Sequence, residues 1–129
     1  MNAVKSNFAT KATVFVVDDE PDLLRCVGEI LQITLDCTVR TFRDPETALK
    51  EFTAAPPDVI VTDYAMGRMT GMDLIRECRR LHPAQKIILI SGTVDEEIFA
   101  DAPCKPDKFL RKPGDILTIT DHVRELLAA

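Results

Sequence analysis

The sequence predicts an α/β fold, a doubly wound parallel sheet, on three observations. Short apolar runs such as Val59-Ile60-Val61 and Ile87-Ile88-Leu89-Ile90 are bounded by turn residues, the pattern of strands buried on both faces. Stretches with apolar residues at helical spacing separate one run from the next. The alternation occurs five times with ordinary crossover lengths, which implies parallel strands with helices on both faces.

Taken in order, residues 1–12 are a polar lead-in and residues 13–129 form one domain. Thr13-Val14-Phe15-Val16-Val17 is the first strand and runs into Asp18-Asp19-Glu20. Pro21 stands at the first helical position, where a missing N–H costs nothing. Leu24, Val27, Leu31 and Leu35 carry that helix to about Leu35. Thr38-Val39-Arg40-Thr41-Phe42 alternates as a more exposed strand does.

Asp44-Pro45 supplies the N-cap and first-turn proline of a second helix with Ala48, Leu49 and Phe52 inward. Ala54-Ala55-Pro56-Pro57-Asp58 ends it, and Val59-Ile60-Val61-Thr62 is the central strand, running directly into Asp63. Thr70-Gly71-Met72-Asp73 has capping-box spacing for a third helix, with Met72, Ile75 and Cys78 inward and His82-Pro83 at its end. The fourth strand, Ile87–Ile90, ends in Ser91-Gly92. Thr93-Val94-Asp95-Glu96 spells a second capping box and predicts a fourth helix, kept short by Pro103 and Pro106. Lys108–Arg111 is the fifth strand, followed by Lys112-Pro113-Gly114. The last helix starts near Asp115 with Ile116, Ile119, Val123, Leu126 and Leu127 inward.

The 129 residues suffice for one core without a metal or disulfide staple. Apolar residues at 46% and charged residues at 29% describe a soluble globular chain. A net charge of −5 with no basic block excludes a general nucleic-acid binder. Cys26, Cys37, Cys78 and Cys104 have neither CxxC pairing nor metal-ligand spacing, and Cys26 and Cys78, in helical patterns, read as small buried hydrophobes. A reduced, cytoplasmic setting is expected. No signal-peptide core is visible, and no apolar run approaches the roughly 20 residues a membrane helix needs.

In a parallel sheet the carboxyl ends of all strands share one edge, where open α/β sheets bind ligands. That edge receives Asp18 and Asp19, Asp63, Ser91 and Lys112. Alone, an acidic pair caps a helix, a Ser before Gly makes a turn, and a lysine is solvated; four such strand ends together point to a site. Two unit charges about 4 Å apart repel by roughly 4 kcal/mol at an effective dielectric of 20. Three carboxylates at that spacing therefore call for a cation, and an all-oxygen donor set suits Mg²⁺. Neither His82 nor His122 belongs to the cluster, which argues against zinc. Acids, a hard cation, an ammonium and a hydroxyl fit a phosphoryl group, and a carboxylate can itself be the nucleophile that forms an acyl phosphate. Spacing alone leaves open whether the group is stored or a phosphorylated substrate is hydrolysed.

Val-Val-Asp18-Asp19-Glu20-Pro, Val-Thr-Asp63-Tyr, Ile-Leu-Ile-Ser91-Gly and Phe109-Leu-Arg-Lys112-Pro113 together resemble the signatures of two-component response regulator receiver domains, over residues 13 to about 127. The resemblance implies a flavodoxin-like sheet in strand order 2-1-3-4-5. It makes Asp63 the phosphoacceptor, served by a sensor histidine kinase or a histidine phosphotransfer protein. Asp19, Asp63 and the backbone carbonyl of Ala65 would hold Mg²⁺ directly, with Asp18 acting through water. Ser91 and Lys112 would contact the phosphoryl oxygens, Ser91 and Phe109 would be the switch residues, and Lys112-Pro113 would be cis. The altered surface of fourth helix, fifth strand and fifth helix would meet a downstream protein, a covalently linked output or kinase domain, or a second copy of the chain. Such a chain is a self-phosphorylating switch rather than an enzyme with a separate substrate, and it contacts neither nucleic acid nor membrane directly.

Some positions depart from the family's pattern. Gly67 replaces a frequent proline, which predicts a more mobile loop. Gly114 replaces a large apolar residue of the kinase-docking patch, and the Ala102-Pro103-Cys104-Lys105-Pro106 connection is unusual. Ala65 and Thr93 stand where the family tunes phosphoryl lifetime. Phe109, lacking a hydroxyl, is expected to turn inward. One rival reading is a Mg²⁺-dependent phosphatase of the haloacid dehalogenase type, which wants Asp-x-Asp where this chain has Asp-Asp-Glu. The other is a binding-only pseudo-receiver, which the complete acidic set opposes.

Overall fold

The computed structural model describes residues 11–129, so residues 1–10 of the expected lead-in lie outside it. Five strands, β1 (Thr13–Val17), β2 (Thr38–Phe42), β3 (Val59–Asp63), β4 (Lys86–Ser91) and β5 (Lys108–Arg111), form one sheet in the order β2-β1-β3-β4-β5. Every neighbouring pair is parallel. This is the order that the resemblance implied. β3 is central and buried at all its positions, whereas β2, an edge strand, is mostly exposed.

Because strand side chains alternate between faces, each strand feeds two cores. On one face Val14, Val16, Val59, Val61, Ile88 and Ile90 pack with α1 (Pro21–Thr34) and α4 (Ile119–Ala128) through Leu24, Val27, Leu31, Ile119 and Val123. On the other, Phe15, Val17, Ile60, Ile87 and Leu89 meet Phe52 of α2 (Pro45–Ala54) and Leu74, Ile75 and Cys78 of α3 (Gly71–Leu81). The helix starts follow from their caps. The Asp44 carboxylate accepts the Thr47 N–H at the head of α2, and Thr70 and Asp73 close a reciprocal capping box at the head of α3.

Several local expectations need correction. The predicted fourth helix is a single 3₁₀ turn, Glu96–Phe99, with no side-chain cap. The Thr93 N–H that Glu96 would need for a capping box is already donated to Ser91 Oγ at 3.0 Å, as is the Val94 N–H. The residues from Gly114 to Thr118 form another 3₁₀ turn, so α4 begins only at Ile119. Cys26 is exposed, because the buried stripe of α1 runs through Leu24, Val27, Gly28 and Leu31 and leaves it outside; Cys78 is buried as expected. Met72 is only half-buried at the margin of the core, and Leu74 takes the inward position beside Ile75 and Cys78.

Candidate functional site

Parallel register places the chemistry on one rim. Val17 pairs with Thr62, Asp63 with Ile90, and Ser91 with Arg111, so the residues that follow emerge side by side. The ladder extends past the strands to fix them: Asp18 N–H donates to the Phe42 carbonyl at 3.0 Å, Tyr64 N–H to Ile90 at 2.8 Å and Lys112 N–H to Ser91 at 3.0 Å. Carboxylate oxygens of Asp18, Asp19 and Asp63 lie within 4.8 Å of one another. Asp18 and Asp63 are buried and Asp19 is exposed. Lys112 Nζ stands 3.0 Å from Asp18 Oδ2 and 3.3 Å from Asp63 Oδ1. Chain segments far apart in sequence thus meet as the strand ends predicted.

The electrostatics follow from crowding. Burial, reinforced by the charge of Asp18 and opposed by Lys112, pushes the Asp63 carboxyl up to about 6. Burial likewise raises Asp18. For Lys112, burial acts to lower the ammonium, but hydrogen bonds to Glu20 and Asp18 and the charges of Asp18 and Asp63 outweigh it, so the lysine is held firmly protonated. One ammonium faces three carboxylates, since Glu20 Oε1 also lies 2.7 Å from Nζ. The three clustered aspartates offer only oxygen donors, with no His or Cys among them, which fits a hard divalent cation.

Around this cluster, Ser91 is buried; its Oγ accepts the Thr93 and Val94 N–H groups and lies 3.4 Å from Thr93 Oγ1. Phe109 is half-buried against the core, its ring 5.6 Å from that of Phe99. The Lys112–Pro113 bond is cis. Ala65 follows Tyr64 in the loop that leaves β3. Further along that loop Gly67 has φ of 86°, a conformation proline cannot adopt.

Two contributors escaped the sequence reading. Glu20, in sequence simply the residue after the acidic pair, is the nearest carboxylate to Lys112. Gly71 reads in the sequence as part of a helix start. Its N–H donates to the Tyr64 carbonyl at 2.8 Å, and a Cβ there would stand 2.4 Å from the Asp63 carbonyl oxygen and 2.7 Å from Leu89 Cδ1. The Thr-Gly at a helix start was the available signal; the approach to β3 that makes the glycine necessary was not visible.

Residues 14–124 match the family described as the response regulator receiver domain. This chain belongs to that family. It is 36% identical over 121 residues to the nitrogen assimilation regulatory protein NtrX of Azorhizobium caulinodans, an alignment covering 88% of this chain and 26% of NtrX. It is 30% identical over 125 residues to the sensor kinase CckA of Brucella abortus, covering 95% of this chain and 13% of CckA. The receiver domain thus spans about a quarter or less of these two relatives. Among solved structures, a response regulator receiver domain from Clostridium thermocellum superposes with a TM-score of 0.80 at 27% identity, covering 91% of this chain and 94% of that one. The receiver domain of NarL from Mycobacterium tuberculosis gives 0.79 at 26%, covering 94% and 99%. The chain is therefore a signalling receiver domain of two-component systems, and the haloacid dehalogenase reading is left without support. Among the described residues, no helix is long and apolar enough to cross a membrane.

Proposed function

We propose that this receiver domain stores a phosphoryl group on Asp63. The donor is the phosphohistidine of a sensor histidine kinase or a histidine phosphotransfer protein, in the cytoplasm. The observation that carries this is the packing of Asp63 and Asp18 around Lys112 at 3.3 and 3.0 Å, inside a three-aspartate cluster that calls for a cation. An Asp63 carboxylate oxygen attacks phosphorus. The phosphorus–nitrogen bond of the donor breaks, the imidazole nitrogen keeps the electron pair, and an acyl phosphate forms. Asp19, Asp63 and the Ala65 carbonyl would hold Mg²⁺, with Asp18 linked through water; the ion supplies positive charge to the phosphoryl oxygens.

Lys112 neutralises the same oxygens from the β5 side, and the Ser91 proton donates to one of them. Drawing Ser91 towards the phosphate breaks its hold on Thr93 and Val94, which loosens the loop after β4 and the packing of Phe109. That rearranged face is the one offered to a downstream protein, a linked output domain or a second copy of the chain. A relative named as a regulatory protein and one named as a sensor kinase, each much longer than the match, support a linked output or kinase domain.

The test is incubation with acetyl phosphate and Mg²⁺. The native chain gains the mass of one phosphoryl group and Asp63→Asn gains none. Equal labelling of the two proteins moves the acceptor elsewhere; labelling of neither, with no response to beryllofluoride, leaves a binding-only pseudo-receiver.

A further inference from the structure

Lys112 has three carboxylates within reach, and the nearest is one that the phosphoryl chemistry above does not use. Its Nζ lies 2.7 Å from Glu20 Oε1, against 3.0 Å for Asp18 and 3.3 Å for Asp63. The two ends of this pair differ. The Lys112 side chain is 16% exposed, whereas that of Glu20 is 62% exposed. The Glu20 backbone is nevertheless fixed: its N–H donates to Asp18 Oδ1 at 2.8 Å, and its carbonyl accepts the Leu24 N–H at 3.0 Å as α1 begins. A held backbone with a free side chain lets the carboxylate engage the lysine or swing into water.

We propose that Glu20 is a positioning residue for phosphoryl transfer, a tether that holds the Lys112 ammonium before phosphorylation and gives it up when Asp63 is phosphorylated. This rests on Asp63 being the acceptor. A phosphoryl group brings close to two negative charges and strong acceptor oxygens to the lysine. The ammonium has only three donors, so contact with that group competes with its existing partners. The partner that can leave most easily is the one with a solvated alternative, Glu20. Breaking an ion pair whose carboxylate end is 62% exposed costs no more than about fivefold in an equilibrium constant. Glu20 therefore raises the threshold for switching modestly.

Beryllofluoride titration with saturating Mg²⁺, followed by calorimetry, tests this. Glu20→Gln should bind about twofold to fivefold more tightly than the native chain. In a Lys112→Ala background the same substitution should change nothing. Native-like affinity of Glu20→Gln overturns the proposal, and so does a gain that persists without Lys112, because the effect is then general charge repulsion. A second reading needs no ligand. In Glu20→Gln, the Lys112 side-chain NMR resonances should lie closer to their beryllofluoride-bound positions, and unmoved resonances overturn the tether. If native and Asp63→Asn chains bind beryllofluoride alike, the acceptor assignment is what fails, and the role of Glu20 falls with it.

Discussion

Thr70-Gly71-Met72-Asp73 and Thr93-Val94-Asp95-Glu96 carry the same signal for a helix start, on the two sides of the phosphoryl rim. At the first, Asp73 N–H donates to Thr70 Oγ1 at 3.1 Å and Thr70 N–H to Asp73 Oδ2 at 2.9 Å, and an 11-residue helix follows. The bond from the Thr70 amide also holds the Asp73 carboxyl below its usual range. At the second, Ser91 takes the Thr93 amide first, and only a four-residue 3₁₀ turn follows. The chain then returns to β5 through a bracket built on Arg79, which donates to the carbonyls of Gln85 and Lys105 and to Asp107. A capping box is thus a competition for amides, and a buried residue at the end of a strand can win it. The side that keeps its cap is hydrogen-bonded to the Tyr64 carbonyl beside Asp63; the side that loses it is tied to the Ser91 hydroxyl.

The difference can be broken most forcefully at Gly71. Gly71→Ala puts a Cβ into the Asp63 carbonyl and should cost about 3 kcal/mol of stability, the upper range for overpacking. Urea denaturation reads it directly. A cost below about 0.5 kcal/mol, within the range of ordinary surface changes, would mean that α3 does not bear on β3 so closely.

The caps themselves give a sharper and smaller test. Thr70→Ala should lose about 1 kcal/mol, as removal of a working N-cap does. Thr93→Ala should stay within about 0.5 kcal/mol. Equal losses in the two proteins would show that the second box forms in solution.

The gentlest probe is pH, acting on the rim between the two segments. The Asp63 carboxyl lies at about 6 against an ordinary 3.8, so the folded chain binds more protons than the unfolded chain between those values. Without Mg²⁺, its contribution to stability is complete below about pH 4 and is lost as pH rises through about 6. Cation binding requires the ionised form, so Mg²⁺-dependent stabilisation should grow over the same window. Thermal melts with and without Mg²⁺ should therefore diverge as pH rises. Curves that diverge as pH falls would contradict the assignment of Asp63 as a ligand.

Most of the molecule was legible because its signals are local. Val59-Ile60-Val61 reads as a doubly buried strand wherever it is placed, Asp44-Pro45 carries its own helix start, and strand alternation sends each strand's acid, hydroxyl or amine to the same rim. What failed was also informative. Cys26 follows a helical pattern but sits off the buried stripe, a matter of a fraction of a turn. The Thr93 box fails because of a side chain outside its four residues, and Glu20 meets its partner 92 residues away.

By itself, then, the sequence determined the five strands, the four α-helices apart from the start of the last, and the strand-end aspartates, serine and lysine of the rim, because periodicity, caps and strand-end position act between neighbours along the chain. The tertiary structure decided which carboxylate Lys112 prefers, why Gly71 has to be glycine and which Thr makes a cap. Each of these depends on distances between segments that only the assembled sheet brings within a few ångströms.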